Sequence, residues 1–225
     1  MSGPVGSPVP GWMPAQRPAS GPLQGKWVTV SQMSIEAVPA LWDVFSADTA
    51  DTWTYMSYGP FAGPDEIRSL VQSWEGSEDP IFFTFDVDGV PQGWGSYLRI
   101  DPAMGSIEVG HLAFGPAFRR TRAATEAMYL MAREAFGLGY RRYEWKCDAL
   151  NAASRRAAER LGFTYEGTFR QHMVYKGRNR DTAWYSIIDS EWPRVRRGME
   201  RWLDPSNFDS EGRQSSPLAD YVGDG

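Results

Sequence analysis

Between residues 26 and 203 the hydrophobic period changes several times, and each change marks an element. KWVTVS (26–31) alternates and predicts a strand, and SIEAVPALWDVFSA (34–47) has helical spacing, with Pro39 set to interrupt the helix or delay its start. PDEIRSLVQSW (64–74) places Ile67, Leu70, Val71 and Trp74 on one stripe, with Pro64, Asp65 and Glu66 suited to a first turn. The period then shortens: IFFTFDV and VPQGWGSYLRI flank Asp88-Gly89 and read as a hairpin. GSIEVGHLAFG (105–115) is apolar on nearly both faces, which predicts a central strand. Residues 121–136 return to helical spacing with Ala124, Met128, Met131 and Ala135 inward, and Gly137 is the expected stop. YRRYEWKC (140–147) alternates again, and NAASRRAAERLG (151–162) is a helix ending at Gly162. FTYEGTFRQHMVY and TAWYSIIDS follow as strands joined by a KGRNRD turn, and EWPRVRRGMERWL closes with a helix. The order is mixed α/β, and its strand–helix–strand–helix–strand middle implies a parallel pair.

The two ends look different. Residues 1–25 hold six prolines, five glycines and three serines, and residues 204–225 are similarly polar, so both are expected as loose arms around one domain, 26–203. A net charge of −5 argues against a nucleic-acid partner, and no apolar run approaches the ~18 residues of a membrane span. A lone cysteine, Cys147, permits no internal disulfide, and with only His111 and His172 no metal is expected. Together these features predict a soluble cytoplasmic protein.

Against the acidic total, FRRTRAATEA (118–127) concentrates three arginines where a strand becomes a helix. Helix-start amides have no partner inside the helix and carry part of a positive charge. Arg119, Arg120 and Arg122 beside them make either a diphosphate site or a solvated basic face. The nucleotide loop G-x-x-x-x-G-K-[ST], a G-x-G-x-x-G fingerprint, G-x-S-x-G and H-E-x-x-H are all absent from the sequence.

In this setting the corner residues Arg119-Arg120-Thr121-Arg122-Ala123-Ala124 resemble the R/Q-x-x-G-x-G/A segment of the GNAT superfamily of acyl-CoA-dependent N-acyltransferases, with Arg122 at the usual glycine position. N-A-A-S … L-G-F (151–163) is similar to that family's downstream segment. The branch most resembled contains the ribosomal-protein N-terminal acetyltransferases and related small-molecule acetyltransferases, and the likeness spans about residues 23–192. It implies a mixed, mostly antiparallel sheet with a parallel pair at its centre, flanked by helices. It also implies acetyl-CoA as co-substrate, bound through the 119–124 corner, Asn151 and Ser154. The acceptor would be a primary amine of a small molecule or a peptide N-terminus, and the protein a monomer or homodimer.

An alkyl amine with a pKa near ~10 is only about one part in a thousand neutral at pH 7, so a positioned base helps. Glu108, eleven residues before Arg119, matches a family glutamate and is either that base or a structural carboxylate paired with Arg or Lys. Simple alternation puts Gly110, Leu112 and Phe114 on its strand face and His111 on the other, as a hydrogen-bonded packing residue. His172 is a second base candidate. Ala158 stands where many family members carry an acidic tyrosine, so Ser154, solvent or substrate must protonate the leaving thiolate. Amides near Leu112, Ala113 and Phe114 are expected to polarise the thioester carbonyl. Trp53, Tyr55, Tyr58 and Phe61 either wall the acceptor cleft or pack a loop, and Glu144 and Lys146 face either the acceptor or a second subunit. The rival reading is a non-catalytic acyl-CoA-binding or interaction module of the same fold.

Overall fold

The computed structural model describes residues 3–19, 21–48 and 50–223. Its strands are β1 (Leu23–Gln24), β2 (Thr29–Gln32), β3 (Ile81–Val87), β4 (Val90–Asp101), β5 (Ser106–Phe114), β6 (Arg142–Asp148), β7 (Thr164–Tyr175) and β8 (Arg178–Ile188). They form a single sheet in the order β1-β2-β3-β4-β5-β6-β8-β7, antiparallel except for the central β5–β6 pair. The helices are α1 (Val38–Ser46), α2 (Pro64–Trp74), α3 (Arg122–Gly137), α4 (Ala152–Arg160), α5 (Trp192–Trp202) and the short α6 (Ala219–Val222).

Local chemistry explains most boundaries. Pro39 lies in the first turn of α1, where it has no amide to lose. Asp88 and Gly89, both at positive φ, close the β3–β4 hairpin with the twist its strands need. The β7–β8 turn is tighter than the sequence predicts: Lys176 and Gly177 make it alone, also at positive φ, and Arg178–Asp181 continue as strand. Helix α3 runs through Gly137, and the left-handed residue that follows is Gly139 at φ 94°. Lys26–Val28 do not pair as strand because the Glu126 carboxylate of α3 accepts all three of their amides, at 2.8, 2.7 and 3.2 Å.

The sheet has one core on each face. Ile107, Val109, Tyr143, Trp145, Tyr185 and Ile187 meet α3 and α5 in the larger one. On the other face Phe82, Trp94 and Ala113 join α1 and α2. The terminal segments are not loose where they touch this body. Ala15 is buried and its amide donates to Pro102 at 3.0 Å, and the Gln16 amide donates to Leu138 at 2.9 Å. In the tail, Leu218 and Val222 are buried against α5, where an added Cβ on Gly198 would stand 2.4 Å from the Tyr221 carbonyl oxygen.

One irregularity redirects the site. Trp94 pairs with Ala113 and Ser96 with Gly110, so His111 and Leu112 both stand against Gly95, and His111 absorbs the extra residue at φ 52°. The bulge resets the alternation. Leu112 and Phe114 pack on the α3 face, while His111 and Ala113 join the face that carries Glu108. The expected grouping of Glu108 with Leu112 and Phe114 is thereby corrected.

Candidate functional site

Strands β5 and β6 pair only from Ser106↔Arg142 to Val109↔Trp145. Beyond that point β5 runs on to Phe114 and β6 to Asp148 without pairing to each other, so a wedge opens in mid-sheet with Glu108 beside its apex. Leu112, Ala113 and Phe114 lie along its β5 side, and the strand leads into the corner before α3.

At that corner Thr121 caps α3, its hydroxyl accepting from the Ala124 amide at 3.1 Å. Among the described residues the amides of Arg120, Arg122 and Ala123 take no protein partner, which leaves a small cradle of donors at the positive end of a long helix. The three arginines have different surroundings. Arg119 turns back to the Phe114 carbonyl at 2.7 Å, the Thr52 hydroxyl at 2.7 Å and the Asp48 carboxylate, tying the corner to the segment after α1. Arg120 is exposed at φ 62°. Arg122 rests its guanidinium on Trp27 and Phe208, 4.8 and 5.6 Å from the ring centroids, so its side chain lies against those rings.

Asn151 caps α4, accepting from the Ser154 amide at 3.0 Å. The Ser154 oxygen accepts from the Trp145 indole at 3.0 Å, which leaves its own proton to donate. Cys147 is buried in the larger core, and burial pushes its thiol up.

Glu108 is 4% exposed, with Arg99 at 2.7 Å and Lys146 at 2.9 Å on the same carboxylate oxygen. Lys146 also binds Glu144 at 2.7 Å and lies 3.7 Å from the centroid of Trp184. Arg142 extends the chain of charges from Glu144 to Glu166. Burial raises the Glu108 carboxyl above its ordinary value, against the pull of Lys146 and Arg99. For Glu144 burial acts the same way, but Lys146 and Arg142 outweigh it and hold the group low. Of the two readings open for Glu108, this geometry favours the paired structural carboxylate. Neither partner was legible in advance. Arg99 reaches Glu108 from a left-handed position in β4, where Asp79 binds the Arg99 and Ile100 amides, and Lys146 depends on the β5–β6 register. Asp79, Arg99, Asp101, Glu144, Lys146 and Trp184 line an open groove of about 750 Å³ over this network.

The aromatic candidates separate. Trp53 is 2% exposed and meets Phe45, Phe61 and Trp94 ring to ring, so it packs a core. Tyr58 accepts from the Trp94 indole at 3.1 Å, and burial raises its hydroxyl. Phe61 joins the same cluster. Tyr55 reaches across instead to the Leu150 carbonyl at 3.1 Å, and Lys176 to the Trp53 carbonyl at 2.8 Å, so the segment after α1 is tied to the β6–α4 loop and the β7–β8 turn.

His111 borders this cluster, 6.2 Å from Tyr58 and nearly parallel to it, and 5.2 Å from Phe82. Burial, then Arg99, lowers its pKa, so the ring is neutral. His172 lies on β7, bound to Thr182 at 2.9 Å, with β6 and β8 between it and Glu108.

These features, a mid-sheet wedge leading to a helix-start amide cradle, accompany a sequence match. A profile described as acetyltransferase (GNAT) domain matches residues 28–164. The chain belongs to the GNAT acetyltransferase family.

Solved GNAT structures agree. A GCN5-related N-acetyltransferase from Brucella melitensis is 41% identical over 95% of this chain and 99% of its own, with a TM-score of 0.92. A probable GNAT-family acetyltransferase from Chromobacterium violaceum ATCC 12472 is 38% identical over 85% and 98%, with a TM-score of 0.80. The microcin C7 self-immunity acetyltransferase MccE, solved in complex with acetyl-CoA and AMP, shares the fold at 20% identity over 73% and 93%, with a TM-score of 0.66. No curated protein matches the chain.

Proposed function

We propose that this GNAT protein is an acetyl-CoA-dependent N-acetyltransferase acting on a primary amine of a small molecule or a peptide N-terminus. The observation that carries the reading is the continuity of wedge and cradle: β5 parts from β6 at Val109 and leads directly to the partnerless amides of Arg120, Arg122 and Ala123. Those amides suit the diphosphate of coenzyme A, with Arg120 and Arg122 adding positive charge nearby. The acetyl-CoA held by MccE supports the choice of donor. Asn151 and Ser154 stand beside β6 at the other wall, and the Ser154 hydroxyl, which accepts from the Trp145 indole and pairs with the Cys147 thiol, can turn to give a proton to the departing thiolate.

When bound, acetyl-CoA supplies an activated acyl group. The protein's part is to orient it, expose its carbonyl to strand amides near Ala113, and admit the amine, for which the groove lined by Asp79, Arg99, Asp101, Glu144 and Lys146 is a candidate entrance. The test is a calorimetric titration with acetyl-CoA, CoA, ATP and NAD at equal concentration, followed by amine-dependent thiol release. Selective micromolar binding of acetyl-CoA and CoA with turnover is expected. Equal binding of every phosphate compound would remove the reading, and binding without turnover would leave the interaction module in its place.

A further inference from the structure

We infer that His111, rather than Glu108, is the group that takes the proton from the acceptor amine; this rests on the acetyltransferase reading above. Four observations converge on it. The β5 bulge turns His111 onto the same sheet face as Glu108, at the level where β5 has parted from β6. Among the described residues its partly buried imidazole makes no hydrogen bond, and its contacts are with the rings of Tyr58 and Phe82. Its backbone, at φ 52°, takes up the extra residue of that bulge in a left-handed conformation that histidine reaches more readily than most side chains, which fixes the ring on this face. Finally, the neighbouring carboxylate is committed: Glu108 is bound by both Arg99 and Lys146, so proton uptake there breaks up two ion pairs.

The surroundings are consistent with a neutral ring. Arg99 of β4 is the charged group that acts on it, Tyr58 from the segment before α2 stacks on the imidazole with its hydroxyl protonated, and β3 brings Phe82. Burial and Arg99 together keep the imidazole unprotonated at neutral pH, as a base must be before it acts. The step balances simply. An ammonium gives one proton to the His111 nitrogen, and the amine nitrogen then forms its bond to the acetyl carbon as the carbon–sulfur bond breaks. The second amine proton accounts for the thiol, delivered through Ser154 or water, and His111 returns its proton to solvent.

Amine basicity provides the test. Thiol release from acetyl-CoA is followed with phenethylamine, which needs a base at pH 7.5, with glycinamide, whose α-amino group is about one-third neutral there, and with hydroxylamine, which is already neutral. His111→Gln is expected to lower kcat/KM for phenethylamine by about 10²- to 10³-fold, to change the hydroxylamine rate less than about fivefold, and to leave acetyl-CoA affinity within about twofold. Added imidazole should restore part of the loss in His111→Ala. An independent readout uses the only two histidines of the chain. In the NMR spectrum of the CoA complex, phenethylamine should shift the ring signals of His111 and leave those of His172 in place. Equal phenethylamine rates for wild type and His111→Gln, or an equal loss with hydroxylamine, would overturn the inference alone. Wild type that binds acetyl-CoA but acetylates none of the three amines would overturn the inference and the catalytic reading together.

Discussion

Two patches share the α1/α2 face of the sheet and solve the problem of burial in opposite ways. Around Glu108, every charge has a partner: Arg99 and Lys146 on Glu108, Lys146 and Arg142 on Glu144, Arg142 again on Glu166. Three residues along the same strand, His111 meets aromatic rings and Arg99's field, and among the described residues its ring has no hydrogen bond. The charged patch is conspicuous in composition, but each of its groups is already held by an opposite charge. The quieter patch holds the group that is free to react. Conspicuous charge is therefore poor evidence for chemistry unless its partners are counted.

The most disruptive change should be Lys146→Met, which leaves buried Glu108 and half-buried Glu144 each short of a cation; a loss of about 3–5 kcal/mol in urea unfolding is expected. Adding Glu108→Gln to that variant should recover part of the loss, and failure to recover would show that the network is not coupled. Alone, Glu108→Gln should cost about 1–3 kcal/mol of stability, because Arg99 and Lys146 lose the negative charge of their shared acceptor. Its effect on turnover should stay well below that of His111→Gln, and the reverse ranking would dissolve the contrast between the patches. Tyr58→Phe, which removes the acceptor for the Trp94 indole, should cost about 1 kcal/mol by the same measurement.

The smallest effect concerns pH. The folded His111 pKa is lowered, so below about pH 6.5 the unfolded chain binds the proton more readily and the native state loses stability as pH falls. His111→Gln should flatten that part of the stability profile, whereas Glu108 substitutions should alter it only in the carboxylate range. An unchanged slope in His111→Gln would mean that the imidazole is not neutral when folded.

Much of this molecule was legible before folding. The strand and helix order followed from hydrophobic period, and the centrality of β5 from its lack of a polar face; the corner near Thr121 followed from the junction of strand and capped helix. Trp53 and Phe61 were recognisable as aromatic mass between two helices, but whether they walled a cleft or packed a core depended on Phe45 and Trp94, which are distant in sequence. Arg122 illustrates the same limit. Its presence at the corner was plain, while its resting place needed Trp27, from a stretch expected as strand, and Phe208, from the tail expected to be loose.

The sequence by itself determined the elements, the family and the set of candidate groups, because period, turn chemistry and helix capping are local. Tertiary structure alone decided which candidate is free. A bulge reversed the faces of β5 beyond Gly110, and a parallel register set Lys146 beside Glu108; both arise from pairing between strands, which no local pattern encodes.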